Sequence, residues 1–267
     1  MRRIVLAVTA LVVLVAAAAA YAATSSPINT YTAPMKFTPS KAGSKKKPSP
    51  TSFTQDINAM GTNGNRTAVL LNIKTKIYGL KVDGKDFPTC SAAKIAAAHN
   101  DTACPKSALV ATGSIVAQLG AKTNFKLPGT PCAPDLHVWN SGQGKLTFFF
   151  VVVPPTHVCG GLQTGSTPPY KATYKVQGGN LITNVPIPQA INFPVQGVAG
   201  SLTTEHLTWL KRTKKVHGKT VASISSVACK GGKRPYSTTF TANLPSPTGG
   251  NGVTQSATAS GSAKCSK

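Results

Sequence analysis

Carboxylates are nearly missing from this chain: six Asp and Glu stand against 29 Lys and Arg in 267 residues. Chemistry that needs clustered acids is the first to be excluded. Glycoside hydrolysis uses two carboxyl groups about 5 to 9.5 Å apart, and the only acids are Asp56, Asp83, Asp86, Asp101, Asp135 and Glu205. Asp83 and Asp86 share a turn, Asp101 follows a helical segment and Asp135 follows a cysteine. A calcium loop fails on the same ground, because "KVDGKD" supplies too few oxygen ligands. Glu205 and His206 are the only acid and imidazole that adjoin in sequence, yet adjacent strand residues face opposite sides.

Nucleophile and phosphate signatures are also missing. No G-x-S-x-G elbow occurs, which argues against the common secreted esterases. Ser91-Ala92-Ala93-Lys94 fits the S-x-x-K pattern of penicillin-binding enzymes. Their K-T-G element has no counterpart, since Lys122-Thr123-Asn124 and Lys219-Thr220-Val221 lack the glycine. Ser91 reads better as a helix N-cap. Gly218-Lys219-Thr220 resembles the end of a phosphate-binding loop, but Thr213 stands where its first glycine belongs, and a hairpin turn explains it better.

What is present begins with "MRRIVLAVTALVVLVAAAAAYAATSS". Two arginines, an unbroken apolar run and the small-x-small Ala20-Tyr21-Ala22 define a signal peptide over 1–22, cut after Ala22. An uncleaved anchor is the alternative; cleavage leaves no transmembrane segment and places the chain outside the cell or on its wall. Roughly 245 residues remain, enough for one large β domain or two small ones. Near the other end "LPSPTGG" resembles a sortase signal but has an extra residue and no apolar tail.

Six cysteines in an exported chain favour disulfides, with fifteen connectivities open in principle. Sequential pairing is expected, Cys90 with Cys104, Cys132 with Cys159 and Cys229 with Cys265, because each pair brackets an excursion from the sheet. Zinc would want tighter Cys spacing and more histidine than His99 offers. Neither a metal nor a cofactor is expected.

Strand patterning dominates the rest. Tyr31, Ala33, Met35 and Phe37 alternate with polar residues, and Phe53, Gln55, Ile57 and Ala59 alternate again. Residues 29–60 read as a hairpin with a loop tipped by Lys45 to Lys47, or else 24–50 is a disordered basic linker. A short helix is expected after Cys90, capped by Ser91 and clamped by the Cys90–Cys104 bond. Beyond Cys104, "SALVATGSIVAQLG", "DLHVW", "KLTFFFVVV", "YKATYKV", "NLITNVPI", "SLTTEHLTWLK", "KTVASISSVAC" and "YSTTFTANL" are strand-like runs separated by turn residues. The expected fold is all-β: a disulfide-stapled β-sandwich over 23–244, with a flexible Ser/Gly/Thr-rich tail over 245–267 unless Cys265 ties it down.

The runs "YGLKVDGKDFPTCS", "CPKSALVATGSI" and "SISSVACKGGKRPYSTTF" resemble a group of secreted actinobacterial proteins of unknown function. In that group a strand leads into Pro-x-Cys, then a short helix, Cys-Pro and a Gly-Thr-Gly segment; here Ala111-Thr112-Gly113 stands at the last place. The resemblance spans about half the mature chain and implies export and a β-rich fold, with no activity attached. Together with the Ala- and Gly-rich composition it suggests a bacterial source, so the sequons at Asn65 and Asn100 should carry no glycan.

The formal charge of +23, or +21 without Arg2 and Arg3, makes anionic polymers of the cell envelope the expected partners. Specific nucleic-acid recognition is not expected, because the cations are mostly lysine, a point charge less suited than arginine to bidentate recognition. The candidate binding patch is Trp209, Lys211, Arg212, Lys214, Lys215, Lys230, Lys233 and Arg234, whose cations would gather if 202–212 pairs with 219–229. Tyr170, Tyr174, Trp139 and Trp209 are either a stacking platform or core. The expectation is a secreted, non-catalytic binding or structural protein. The alternative is an extracellular hydrolase whose site is assembled from residues distant in sequence.

Overall fold

The computed structural model describes residues 24–26, 28–153, 159–246, 248 and 252–266; the signal peptide expected over 1–22 lies outside them. The first half of the chain forms β1 (Thr24–Ser25), β2 (Asn29–Thr32), β3 (Met35–Thr38), β4 (Ser49–Pro50), β5 (Ser52–Gly61), β6 (Val69–Tyr78), β7 (Leu80–Val82), α1 (Ala92–Ala98) and β8 (Leu109–Ala121). Next come β9 (Thr130–Cys132), β10 (Asp135–Asn140), β11 (Lys145–Val151), β12 (Tyr170–Gln177), β13 (Asn180–Pro186) and α2 (Gln189–Asn192). The chain closes with β14 (Val198–Trp209), β15 (Thr213–Val216), β16 (Lys219–Ala222), β17 (Ile224–Ser226), β18 (Lys233–Leu244) and β19 (Val253–Lys264).

One antiparallel sheet runs β1-β2-β5-β14-β8-β10-β11-β12-β13-β6-β18-β19, with β3 added to β5 and β9 to β8. Its last strand, β19, packs beside β1, β2 and β3, so the sheet curls until it is nearly closed and its two halves face each other like a sandwich. The fold is all-β with one short helix of note, as the patterning implies. Tyr31, Met35, Phe37, Phe53 and Ile57 turn inward and are buried, while Lys36 and Thr38 turn out. Tyr31 stacks on Phe240 from the far half, 4.2 Å between ring centroids, and so joins the two ends of the sheet.

The three disulfides are Cys90–Cys104, Cys132–Cys159 and Cys229–Cys265. Ser91 Oγ accepts from Lys94 N, which is the N-cap geometry, and His99 ends α1 in the left-handed region at φ 53°. Gly218 belongs to the two-residue turn His217-Gly218 between β15 and β16, both at positive φ, as tight hairpins require.

Two expectations need correction. Of the expected flexible tail, residues 253–265 are held in place: β19 pairs with β18 over twelve residues, and Cys265 anchors its end. Its small residues fit because Tyr236 lies over the facing strand, where a Cβ on Gly261 would come within 2.6 Å of the Tyr236 hydroxyl. Nor do 202–212 and 219–229 form a hairpin. Leu207 faces Gln55 and Gly113 in the large sheet, whereas 219–222 pairs with 213–216 in a separate ribbon. β14 is a central strand with two partners already, so no edge is free to take a third.

Candidate functional site

Of the candidate patch, two members are not on the surface. Trp209 is 8% exposed and stacks on Phe53, and Arg234 is wholly buried with its guanidinium 4.6 Å from the Phe37 ring. Tyr170, Tyr174 and Trp139 are buried as well, so the aromatic residues are core and not a platform. Arg212 is half-buried and its Nε donates to Leu109 O. Lys211, Lys214, Lys215, Lys230 and Lys233 are exposed.

These lysines divide between two places. Lys214 and Lys215 stand on the β15–β16 ribbon, where Lys214 Nζ lies 5.8 Å from the Phe87 ring centroid, beside the turn that follows β7. Lys230 and Lys233 belong to the other end of β17, around the Cys229–Cys265 bond. There Lys233 lies opposite Lys264, Lys41 bridges Ser266, and Gly43 N donates to Ser226 O, which carries the Lys45 to Lys47 turn alongside. Lys41, Lys45, Lys46, Lys47, Lys230, Lys233 and Lys264 are all exposed, and no Asp or Glu occurs in the three segments that bear them. Sequence reasoning found the loop lysines and the 230–233 lysines separately. Their meeting comes from long-range contacts beside the third disulfide, Lys41 with Ser266 and Gly43 with Ser226, and Lys264 was hidden in the presumed tail.

A second lysine surface lies on the outer face of β12, β13 and β6. Lys175 faces Ile182, which faces Lys76, so these lysines share a row two strands wide, about 10 Å. Lys74 sits two residues before Lys76 and Lys171 four before Lys175, all exposed. The face continues over β18 and β19 as paired hydroxyls, Thr239 with Thr258 and Thr241 with Ser256, each 2.8 Å apart.

Arg234 has a different role from its exposed neighbours. Its Nη2 donates to Ser226 Oγ, while Nε and Nη1 have no partner among the described residues, and burial pulls its pKa down to about 10. Its neighbour in type, Arg66, is also buried but satisfied: its guanidinium donates to the carbonyls of Leu127, Ala121 and Asn124 and to Ser201 Oγ.

Among the described residues two carboxylate–imidazole pairs are seen. Asp101, in the loop after α1, takes His137 Nδ1 at 2.6 Å and Trp139 Nε1 at 3.1 Å. Asp56 pairs with His206 Nδ1 across β5 and β14, and the Thr208 hydroxyl lies 3.5 Å from His206 Nε2. A carboxylate behind an imidazole fixes its tautomer and orients the other nitrogen toward a hydroxyl. This second set sits on the outer face of a central strand, where the main-chain N–H groups of 204–209 face β5 and β8 in the ladder and do not converge on an external oxyanion.

Glu205 points the other way, into the molecule. A cavity of about 120 Å³ lies between the two halves of the sheet. β14 forms one wall with Gly200, Leu202, Glu205, Leu207 and Trp209 in order, so the carboxyl lies midway along it. Leu202 and Glu205 both face in despite their three-residue spacing, because a bulge between Leu202 and Thr204 inserts one residue. On the flanking strands Glu205 is level with Ile57 and Ile115, both buried. No hydrogen bond or ion pair reaches its side chain among the described residues. Enclosed by hydrocarbon, its carboxyl is pushed up to about 7, and it in turn helps push the phenol of buried Tyr170 above its ordinary range. Sequence reasoning separated Glu205 from His206 correctly but did not carry the alternation forward: Leu207 and Trp209 lie on the same strand face as Glu205, which is the signal that it points inward.

Comparison with family models, with curated proteins and with solved structures finds no match.

Proposed function

We propose that the chain is an exported, non-catalytic binding protein that holds an anionic polymer of the cell envelope at its Cys229–Cys265 end. The observation that carries this reading is the convergence of Lys41, Lys45, Lys46, Lys47, Lys230, Lys233 and Lys264 from three segments that contain no carboxylate. Seven like charges gathered on one exposed surface present a positive potential that attracts an anionic chain. Three disulfides suit an oxidising, extracellular setting. No helix among the described residues is long and apolar enough to cross a membrane.

The test is retention of the purified protein on purified cell walls, on isolated anionic wall polymer and on DNA across a salt series. Selective retention by the wall or its polymer at salt that releases DNA supports the reading. Equal release from all three at the same salt would mean the charge is generic and would overturn it.

A second reading, an extracellular hydrolase, has one observation in its favour: the Asp56, His206 and Thr208 set on the outer face. Hydrolysis of an ester or glycan substrate by the wild type that disappears in both His206→Ala and Thr208→Ala would establish it. Turnover unchanged in both variants would remove it.

A further inference from the structure

The cavity beneath β14 is a second site, unrelated to the lysine surfaces, and we infer that it binds a small apolar molecule bearing a single amine, with Glu205 as the anchor for that amine.

Size sets the body of the ligand. A cavity of about 120 Å³ is somewhat smaller than an apolar cavity of about 150 Å³ that admits benzene. One ring or a short aliphatic chain fits; a long lipid does not. The walls set its character, for Leu70, Ile73, Ile115, Phe148, Val185 and Leu207 all line the space. Hydrocarbon in such a pocket gains by leaving water.

The polar group sets the head. Glu205 is only partly covered by protein atoms, yet it is an inward residue of a central strand, so the surface it keeps faces the cavity. Among the described lining residues there is no Lys, Arg or His, and Tyr170 is the only other ionisable group. A carboxyl alone in hydrocarbon lacks both hydrogen-bond donors and a counter-charge. An ammonium head supplies both at once. An alcohol supplies one neutral hydrogen bond, and a carboxylic acid would set a second acid against the first. The order of preference follows: amine, then alcohol, then carboxylate.

Two of the other polar side chains near the space are already used, while Trp209 Nε1, a neutral donor on the same lining, has no partner among the described residues. Gln55 Nε2 donates to Thr75 Oγ1 and Thr238 Oγ1, each at 3.4 Å, and Asn192 Nδ2 donates to Leu70 O at 2.7 Å. Glu205 is the one carboxyl among the described lining residues, so it is the group that selects between an amine and an acid.

Benzylamine, benzyl alcohol and phenylacetate share one ring and differ in the head, so calorimetric titration of the whole chain with each is the experiment. Benzylamine is expected to bind at least about tenfold more tightly than benzyl alcohol, the margin of one hydrogen bond to a charged group, with phenylacetate weakest. Glu205→Gln should remove that margin and leave benzyl alcohol within about threefold of its wild-type affinity. Ala117→Leu, which fills part of the cavity from β8, should weaken amine and alcohol alike. Equal affinity for amine and alcohol, tighter binding of phenylacetate, no binding of any probe, or an amine preference that survives Glu205→Gln would each overturn the inference. None of these results depends on whether the lysine end holds a polymer.

Discussion

The interior around Glu205 and the surface around Cys229–Cys265 hold charge under opposite conditions. In one, a single carboxyl stands among leucine, isoleucine and phenylalanine with no partner among the described residues. In the other, seven lysines stand together in water. Water screens the lysines, so crowding them costs little and leaves the fold free to use them. Hydrocarbon does not screen the carboxyl, so one group there weighs more on stability than several outside. Adjacent residues make the same point within one strand: Lys233 is exposed beside Lys264, while Arg234 is buried with two donors unpartnered among the described residues.

The largest expected effect comes from removing the bond beside the lysine end. Cys229→Ala with Cys265→Ala opens a loop of 36 residues in sequence separation, and the chain-entropy model puts the loss at about 4 kcal/mol. Chemical denaturation measures it, and salt-resistant polymer retention should fall in the same variant even under conditions where it stays folded. Retention unchanged would detach the lysine end from the disulfide.

Next is the pH dependence from Glu205. Folding raises its pKa from 4.5 to about 7, so the fold favours the protonated form. Its contribution is complete below pH 4.5 and is lost as pH rises through 7. Between pH 5 and 8 the wild type should lose roughly 2 kcal/mol relative to Glu205→Gln, a figure reduced for the surface the carboxyl keeps. Parallel stability curves for the two proteins would show that the carboxyl is solvated after all.

Smaller still is Arg234→Met. It replaces an uncompensated buried cation with a flexible apolar chain of similar length, and stability should rise by about 1 kcal/mol. A loss of 3 kcal/mol or more would mean that the contacts with Ser226 and the Phe37 ring outweigh burial of the charge. Least of all is Lys233→Gln, which relieves a like-charge pair with Lys264 and should change stability by less than about 0.5 kcal/mol. A large change there would contradict the claim that water shields this end.

The same contrast governs what could be read from sequence. Alternation in β3 and β5 is written in large residues such as Phe37, Phe53 and Ile57, and the disulfides fall in the sequential pairing in which each brackets one excursion from the sheet. The helix cap at Ser91 is a local rule obeyed locally. β19 escaped because its inward residues are Ala257 and Ala259, too small to register as a hydrophobic face until Tyr236 is known to lie across from Gly261. Trp209 and Arg234 were misplaced because burial of β14 and β18 comes from partners far away in sequence, β5 and β8 for one, β6 and β19 for the other. The cavity could not be read at all, since it depends on a bulge and on the far half of the sheet.

The most direct test removes equal charge from two different places. One variant carries Lys41→Gln, Lys230→Gln, Lys233→Gln and Lys264→Gln; the other carries Lys74→Gln, Lys76→Gln, Lys171→Gln and Lys175→Gln. Affinity for isolated anionic wall polymer is then measured for both at one moderate salt concentration. A local site at the Cys229–Cys265 end predicts that the first variant loses about tenfold or more and the second at most about threefold. Equal losses would contradict it, because they would show that only the total charge matters.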